Sequence, residues 1–257
     1  MNEVTNLSNA PGTIDGWYVL HMLYRVDWAR WRARSSQQRE EALADAERHM
    51  AGAQSAEESH QGSSAFYWLL GHKGDLMAVH LRPSVDELSA LETDFAKSPL
   101  AECLLPSYSY LSIVELSTHG AGGRTQDAQE ALEGALRARL EPDLPRTRYV
   151  CFYPMSKLRG EQRNWYMLTA GERQELMRSH GLIGREYAGK VRQIITGSMG
   201  LDDWEWGVDL FADDPLQFKK IVYEMRFDEV SARYALFGAF YVGLRVESGD
   251  LRRHLAL

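Results

Sequence analysis

Two stretches of this sequence share one pattern and together decide the fold: residues 78–95, AVHLRPSVDELSALETDF, and residues 207–225, GVDLFADDPLQFKKIVYEM. Each begins with a short apolar strand, turns, and continues as an amphipathic helix. Val79 and Val208 occupy matching places in the two stretches and lie 129 residues apart, about half of the 257-residue chain. This spacing indicates a duplicated unit.

The sequence around each stretch predicts strands and helices in the order βαββαβ. In the first half, alternating apolar residues predict strands over 17–26, 65–70, 76–81 and 108–116. Residues 28–49 are rich in Ala, Arg and Glu without Gly or Pro and predict a helix, and the capping-box spacing of Ser84 and Glu87 predicts that a second helix over 84–97 begins there. In the second half we expect strands over 148–155, 191–198, 204–211 and 234–244, and helices over 171–187 and 214–225. The order is that of a ferredoxin-like unit, so the prediction is an α+β fold with antiparallel sheets.

The two halves are joined by a segment rich in glycine and proline. It contains a glycine-rich loop at 120–123, a predicted helix over 126–140, and then Pro142 and Pro145. We therefore predict two units, residues 1–140 and 141–257. The long charged helix over 28–49 is expected to present a solvated face.

Composition excludes several classes of protein. The chain has 44% hydrophobic residues, enough for a substantial core, and a formal charge of -7, which argues against a nucleic-acid partner. Cys103 and Cys151 lie in apolar stretches and are expected to be buried thiols. The first 16 residues lack a secretory pattern and no stretch has the length of a membrane span, so we expect a cytoplasmic protein.

His180 is the first candidate for chemistry. It lies at helical spacing from Leu176, Ile183 and Tyr187, so the imidazole would project from an apolar face. Such a histidine is more often an ordinary core residue than a metal ligand. No His-Glu-x-x-His or other multi-ligand motif occurs, so a metal held by His180 would be one supplied inside an organic ring.

The second candidate is the run Tyr153-Pro154-Met155-Ser156-Lys157-Leu158-Arg159. It places a phenol, a thioether, a hydroxyl and two cations within seven residues, and the cations could hold carboxylates. Taken alone, the run is better explained by Pro154 ending an edge strand, with Lys157 and Arg159 as solvated loop charges. Arg226 has the same two interpretations: a clamp for a carboxylate, or an ion-pair partner of Asp228 or Glu229.

Five ordered motifs together carry a resemblance to a known family. The coproheme decarboxylases of the chlorite dismutase superfamily, in the form found in Firmicutes, resemble this sequence at Tyr153-Pro154-Met155-Ser156-Lys157, Asn164-Trp165-Tyr166, His180-Gly181-Leu182-Ile183-Gly184-Arg185, Tyr187-Ala188-Gly189-Lys190 and Glu224-Met225-Arg226-Phe227-Asp228-Glu229. The match is dense from Arg148 to Tyr241. In the first half it rests mainly on the pattern of elements.

The resemblance implies a dimeric α+β barrel of two ferredoxin-like halves, assembled as a homopentamer, with the porphyrin in the second half. By motif, His180 is the iron ligand, Tyr153 the catalytic tyrosine and Gln193 the polar residue on the other side of the ring. Chlorite-decomposing members have an arginine in place of Gln193. The implied porphyrin-binding residues further include Arg139, Pro154, Met155, Ser156, Lys157, Arg226 and Ser231.

The activity that the resemblance implies is peroxide-dependent decarboxylation of two propionates of Fe-coproporphyrin III (coproheme), which gives haem b through a tyrosyl radical. Coproheme would be both substrate and redox cofactor, and a ferrochelatase is a possible partner. Two alternatives remain: a chlorite dismutase or peroxidase, and a non-catalytic haem carrier or sensor.

Overall fold

The computed structural model describes residues 12–117 and 134–257. The elements of the first half are β1 (Thr13–Val26), α1 (Trp28–Ala33), α2 (Ser36–Gln54), β2 (Ser63–Leu69), β3 (Leu76–Arg82), α3 (Val85–Ala96) and β4 (Leu104–Ser117). Residues 134–140 form a further helix, α4. The second half contains β5 (Tyr149–Lys157), α5 (Ala170–Glu186), β6 (Arg192–Gly197), β7 (Trp206–Ala212), α6 (Leu216–Met225), α7 (Glu229–Tyr234), β8 (Ala235–Phe237), β9 (Tyr241–Val246) and α8 (Leu251–Leu255).

The strands form one antiparallel sheet in the order β7-β6-β4-β1-β3-β2-β9-β5-β8. Because β5 also pairs with β7, eight of these strands close into a barrel, and β8 extends the side of β5 that also carries β9. Within the first half the order is β4-β1-β3-β2, and within the second it is β9-β5-β7-β6. Both are the order of a ferredoxin-like unit, so the predicted α+β fold with two such repeats is confirmed.

The barrel interior is filled by aromatic and aliphatic side chains from both halves. Tyr67 and Tyr110 of the first half meet Phe152 and Phe211 of the second in one buried cluster. Inside this cluster, Nε2 of the buried His21 lies 3.0 Å from both carboxylate oxygens of Asp209, so a polar contact joins β1 to β7. Helices cover the outer face of the sheet, where two cores form: one of first-half residues together with Val246, Leu251 and Leu255, and one within the second half.

The predicted helix over 28–49 is two helices. Ser35 breaks it: its side chain accepts the backbone N–H of Gln38, and the Gln38 side chain accepts the backbone N–H of Ser35, which is a complete capping box at the start of α2. One face of α2 is buried through residues that include Leu43 and Met50. The charged residues lie on the opposite face.

The predicted strand over 234–244 is likewise interrupted. Tyr234 ends α7, and the strand positions are divided between β8 and β9 by residues 238–240. The backbone N–H of Gly238 donates to the carbonyl of Pro154 across 2.8 Å, a contact with the sheet that local sequence does not show. Of the helix predicted over 126–140, residues 134–140 are helical, and residues 126–133, like His119 and the glycine-rich loop, lie outside the described residues.

Both cysteines are buried free thiols, as expected. Within residues 12–117 and 134–257, every helix is too short or too polar to cross a membrane.

Candidate functional site

β5 presents alternate side chains to the two faces of the sheet. Tyr153 and Met155 pack with Phe218 of α6 on the outer, helix-covered face, whereas Phe152 lies in the barrel core. Since strand residues alternate, Lys157 shares the outer face with Tyr153 and Met155. β5 is therefore a central strand of the barrel wall that carries three of the predicted site residues on one side.

Pro154 is an interior residue of this strand and does not end an edge strand. It pairs with Gly207 of β7 on one side. On the other side of β5, β8 pairs with Met155–Lys157 and β9 pairs with Tyr149–Phe152, so neither strand pairs with Pro154. The missing N–H of proline therefore falls in a gap in the ladder, where it breaks no hydrogen bond.

Lys157 is buried, which overturns its interpretation as a solvated loop charge. Its ammonium group lies 4.7 Å from the centroid of the Trp165 ring. Burial lowers the pKa of Lys157 to about 8, and the carboxylates of Asp228 and Glu205 limit the decrease. No carboxylate of the described residues forms an ion pair with it, so this cation is available to a negatively charged ligand. Arg159, by contrast, is exposed beside Glu205 at 3.7 Å.

His180 on α5 is paired with a buried carboxylate. Its Nδ1 lies 2.7 Å from Oδ2 of Asp228, whose side chain is 1% exposed. Asp228 is the N-cap of α7, and the same Oδ2 accepts the backbone N–H of Ser231 at 3.2 Å. Because a carboxylate accepts and does not donate, Nδ1 carries a proton, and in the neutral imidazole the lone pair is then on Nε2. This arrangement fixes the tautomer and raises the basicity of a metal-binding histidine.

α5 begins at a capping box formed by Thr169 and Glu172, yet none of its 17 residues is buried. It lies against α6 and α7, and a Cβ on Gly184 would lie 3.5 Å from Cε of Met225 in α6. Helical spacing places Met177 on the same side as His180, and Met177 is 44% exposed. The His180 side of α5 therefore keeps apolar surface uncovered, which suits a large flat ligand.

Gln193 shares the outer face of the sheet with Tyr153. In the ladder, Gln193 is opposite Leu210, and Leu210 is opposite Cys151. One row further along, Ile195 is opposite Val208 and Val208 is opposite Tyr153. Gln193 and Ile195 are both exposed, so this face of β6 also leaves polar and apolar groups uncovered beside the tyrosine.

Tyr153 is 7% exposed and lies among aromatic rings. Its ring stacks on Phe240 with centroids 4.5 Å apart. Burial raises the pKa of the Tyr153 phenol, Cys151 raises it further, and the Arg226 cation offsets part of the increase. The phenol is therefore protonated at neutral pH and carries a hydrogen atom that it can lose.

Arg226 stacks on Phe237, with its guanidinium carbon 3.8 Å from the ring centroid. The two ion-pair partners considered for it are engaged elsewhere: Asp228 with His180, and Glu229 with Arg233 at 2.7 Å. Among the described residues Arg226 has no carboxylate partner. Its exposed guanidinium can bind a ligand carboxylate.

Four of the predicted residues, Pro154, Ser156, Arg139 and Ser231, have side chains that do not converge with those of Tyr153, Lys157 and His180. The hydroxyl of Ser156 accepts the backbone N–H of Glu205 at 3.2 Å, and the alternation of β5 places Ser156 and Pro154 on the face opposite Tyr153. Arg139 is exposed on α4, and within the described ranges no hydrogen bond or ion pair links it to the others. Ser231 contacts the site through its backbone N–H on Asp228.

Sequence reasoning left three residues of the site unassigned: Asp228, Glu205 and Trp165. Glu205 is buried and accepts the backbone N–H of Lys157 at 2.6 Å, and Trp165 covers the Lys157 ammonium group. For Asp228 a local signal exists, because aspartate is a preferred N-cap residue and its side chain accepts the backbone N–H of the third helical residue, here Ser231. That it also holds His180, 48 residues earlier, is information that only the fold contains.

Comparison with known proteins identifies relatives of the whole chain. A family model described as chlorite dismutase matches residues 39–246. A coproheme decarboxylase from Staphylococcus saprophyticus is 49% identical over 251 residues, covering 98% of this chain and all of that protein.

Solved structures give the same result for the fold. A haem-binding protein from Thermus thermophilus superposes with a TM-score of 0.91 at 46% identity, covering 98% of this chain and 99% of that one. A variant of chlorite dismutase from Candidatus Nitrospira defluvii superposes with a TM-score of 0.75 at 17% identity, covering 95% and 96% of the two chains.

Proposed function

Because this chain belongs to the chlorite dismutase family, we propose that it is a coproheme decarboxylase, which uses hydrogen peroxide to convert two propionates of Fe-coproporphyrin III to the vinyl groups of haem b. The observation that carries the proposal is the pairing of His180 with the buried Asp228, on a helix whose exposed apolar side suits a macrocycle. The relative from Staphylococcus saprophyticus, which bears this name, supports the choice of substrate.

His180 would hold the iron through Nε2, with Asp228 keeping the proton on Nδ1. Gln193, a neutral amide on β6, would face the other side of the ring. It supplies no fixed positive charge there, and this distinguishes the site from that of a chlorite-decomposing enzyme, for which the family resemblance implies an arginine. When bound, the iron porphyrin supplies the oxidising power for the reaction, with peroxide as oxidant.

Cations on the outer face would hold the propionates. Lys157 is buried without an ion-pair partner among the described residues, and Arg226 presents a guanidinium near Tyr153. Each could neutralise a carboxylate and fix its position beside the phenol. Met155 would contact the macrocycle edge. Roles for Arg139, Pro154, Ser156 and Ser231 rest on the family motif alone, since their side chains do not converge with these groups.

Tyr153 would be the reacting residue. It gives up an electron and its phenolic proton, and the resulting neutral radical takes a hydrogen atom from the β-carbon of a propionate, which restores the phenol. Loss of a second electron and of carbon dioxide from the substrate then leaves a vinyl group. For each propionate, one carboxylate, one peroxide and one proton give one vinyl group, one carbon dioxide and two waters, so two peroxides are needed for haem b.

Mass analysis of the porphyrin tests the proposal directly. The ligand-free protein is mixed with ferric coproporphyrin III and titrated with peroxide. We expect two successive losses, each of one carbon dioxide and two hydrogens, complete after about two equivalents of peroxide by the stoichiometry above. Bound porphyrin that stays chemically unchanged would instead identify a carrier or sensor. Rapid, sustained oxygen evolution on addition of chlorite would identify a chlorite dismutase.

Four further features belong to the proposal. The sheet order supports a division into the halves 1–140 and 141–257, and the family resemblance implies that the porphyrin lies in the second. A cytoplasmic location is proposed from the sequence, and a homopentamer and direct transfer of coproheme from a ferrochelatase follow from the family resemblance. Size measurement by light scattering tests the pentamer, and affinity capture with the purified ferrochelatase tests the transfer partner.

A further inference from the structure

The connection between β8 and β9 follows the part of β5 that contains Tyr153 and Pro154. These two residues have no strand partner on that side, and the chain from Gly238 to Phe240 occupies the gap. Gly238 donates to the Pro154 carbonyl at 2.8 Å, and a Cβ on Gly238 would lie 2.7 Å from Cγ of Pro154. The connection therefore lies so close to β5 that there is no room for a side chain at position 238.

Two phenylalanines at the ends of this connection flank the ring of Tyr153. Phe240 stacks on it at 4.5 Å with an interplanar angle of 24°, and Phe237 lies at 5.9 Å with an angle of 47°. Phe240 also lines an open, largely apolar pocket with Phe218, Val222 and Val242. Phe240 therefore contributes to the surroundings of Tyr153 and to the lining of that pocket.

Each of these two phenylalanines contacts a cationic side chain. The Nζ of Lys73, in the turn between β2 and β3 of the first half, donates to the carbonyl of Phe240 at 2.7 Å. Arg226 stacks on Phe237 at 3.8 Å. The position of the tyrosine ring is therefore linked to the first half of the chain through Lys73 and to α6 through Arg226.

We infer that Phe237 and Phe240 are positioning residues that fix the ring orientation of Tyr153, and that Lys73 supports them from the first half. The inference rests on the proposed function of Tyr153. The torsion that turns a tyrosine ring has a broad energy profile, so neighbouring side chains decide its orientation. Hydrogen-atom transfer depends steeply on the placement of donor and acceptor, so a ring that turns freely reacts more slowly.

Phe240→Leu tests the inference, with Phe218→Leu as its matched control. Both changes replace a phenylalanine of the same core cluster by leucine, but among the described residues the aromatic rings paired with the Tyr153 ring are those of Phe237 and Phe240, not that of Phe218. Three quantities are measured: the nitration rate of Tyr153 in the ligand-free protein, the β-proton hyperfine splitting of the tyrosyl radical after peroxide is added to the coproheme-loaded protein, and the decarboxylation rate.

For Phe240→Leu we expect faster nitration, an altered hyperfine splitting because that splitting depends on the ring dihedral angle, and decarboxylation slowed about tenfold with coproheme affinity unchanged. Phe218→Leu should leave all of these near the wild-type values. Lys73→Met should change them in the same direction by a smaller factor, and it serves as the test if Phe240→Leu does not fold.

Wild-type nitration and hyperfine splitting in Phe240→Leu, or the same changes in Phe218→Leu, would overturn the inference. Failure of the proposed function has a different signature: wild-type protein would then yield no radical that Tyr153→Phe removes. In that case nitration of the ligand-free protein still decides whether Phe240 covers Tyr153.

Discussion

At the scale of single residues, the chemistry depends on buried charged side chains. Asp228 is 1% exposed and is held by the start of α7, so it can keep His180 in one tautomer. Lys157 is buried against Trp165 with a lowered pKa. Neither property is visible in the residue type, and both follow from the elements that surround the side chain.

Replacing Asp228 by Asn should weaken iron binding by His180. Asparagine still caps a helix, so α7 is preserved, but the amide is a weaker acceptor for the Nδ1 proton. We expect coproheme affinity to fall about 10- to 100-fold and the iron–histidine stretching frequency of the ferrous complex to decrease. Absorbance titration and resonance Raman spectroscopy measure the two effects.

Asp27→Asn is the control, because Asp27 caps α1 in the same way without contacting a histidine. If Asp228→Asn bound coproheme with wild-type affinity and an unchanged stretching frequency, the carboxylate would have no role in iron binding.

The lowered pKa of Lys157 predicts how coproheme binding depends on pH. Below pH 8 the side chain is already charged in the ligand-free protein, so binding a carboxylate requires no proton. A bound carboxylate raises the pKa of Lys157, so above pH 8 binding must take up a proton and affinity falls. Each pH unit costs about 1.4 kcal/mol until the pKa of the complex is reached.

Binding titrations from pH 7 to pH 10 in wild type and Lys157→Met check this prediction. The variant should bind more weakly at pH 7 and lose the decrease above pH 8. A wild-type affinity that stays constant over this range, or an equal decrease in Lys157→Met, would show that Lys157 does not bind the propionate.

The burial of individual side chains could not be predicted from the sequence. The interpretation of Lys157 that the residues alone favoured was wrong, because burial comes from Trp165 and from the continuation of β5 past Pro154. The assignment of Tyr153, His180 and Gln193 came from ordered motifs and stays a prediction of role. The structure adds that Tyr153 and Gln193 share one face of the sheet.

At the scale of elements, α5 is the least buried part of the site. It carries His180 but buries none of its own side chains, so its capping box contributes an unusually large share of its stability. Thr169→Ala should cost about 1 kcal/mol of helix stability. Because coproheme binds only the folded helix, its affinity should fall by up to about fivefold, the limit that applies when α5 is largely unfolded in the ligand-free protein.

Ser84→Ala removes an equivalent capping box from α3 in the first half and is the matched control. Thermal unfolding should show a comparable loss of stability for both variants, and coproheme titration should show a loss of affinity for Thr169→Ala alone. Equal affinities in the two variants would mean that the order of α5 does not limit binding.

Elements that depend on local signals were predicted well, and elements that depend on distant contacts were not. The capping box of Ser84 and Glu87 predicted the start of α3 correctly. The break between β8 and β9 was missed because it follows from the contact of Gly238 with Pro154, 84 residues earlier in the chain. The same contact places Phe240 on Tyr153.

At the scale of the whole molecule, closure of the barrel makes the two halves one structure. β4 pairs with β6 and β2 pairs with β9, so each half completes the sheet of the other. The repeat of strand and helix predicted the two units, but nothing local predicted that His21 and Asp209 would meet inside the barrel. The first half therefore supports the wall that carries Tyr153, although most of the site lies in the second.

The central claim is that this barrel uses Tyr153 to decarboxylate coproheme. The most direct test compares wild type with Tyr153→Phe, each loaded with ferric coproporphyrin III and titrated with peroxide, by mass analysis of the porphyrin. Tyr149→Phe, the same change on the same strand and face, is the control. We predict that Tyr153→Phe binds coproheme normally and leaves its mass unchanged, whereas wild type and Tyr149→Phe form haem b. Formation of haem b by Tyr153→Phe at the wild-type rate would contradict the account.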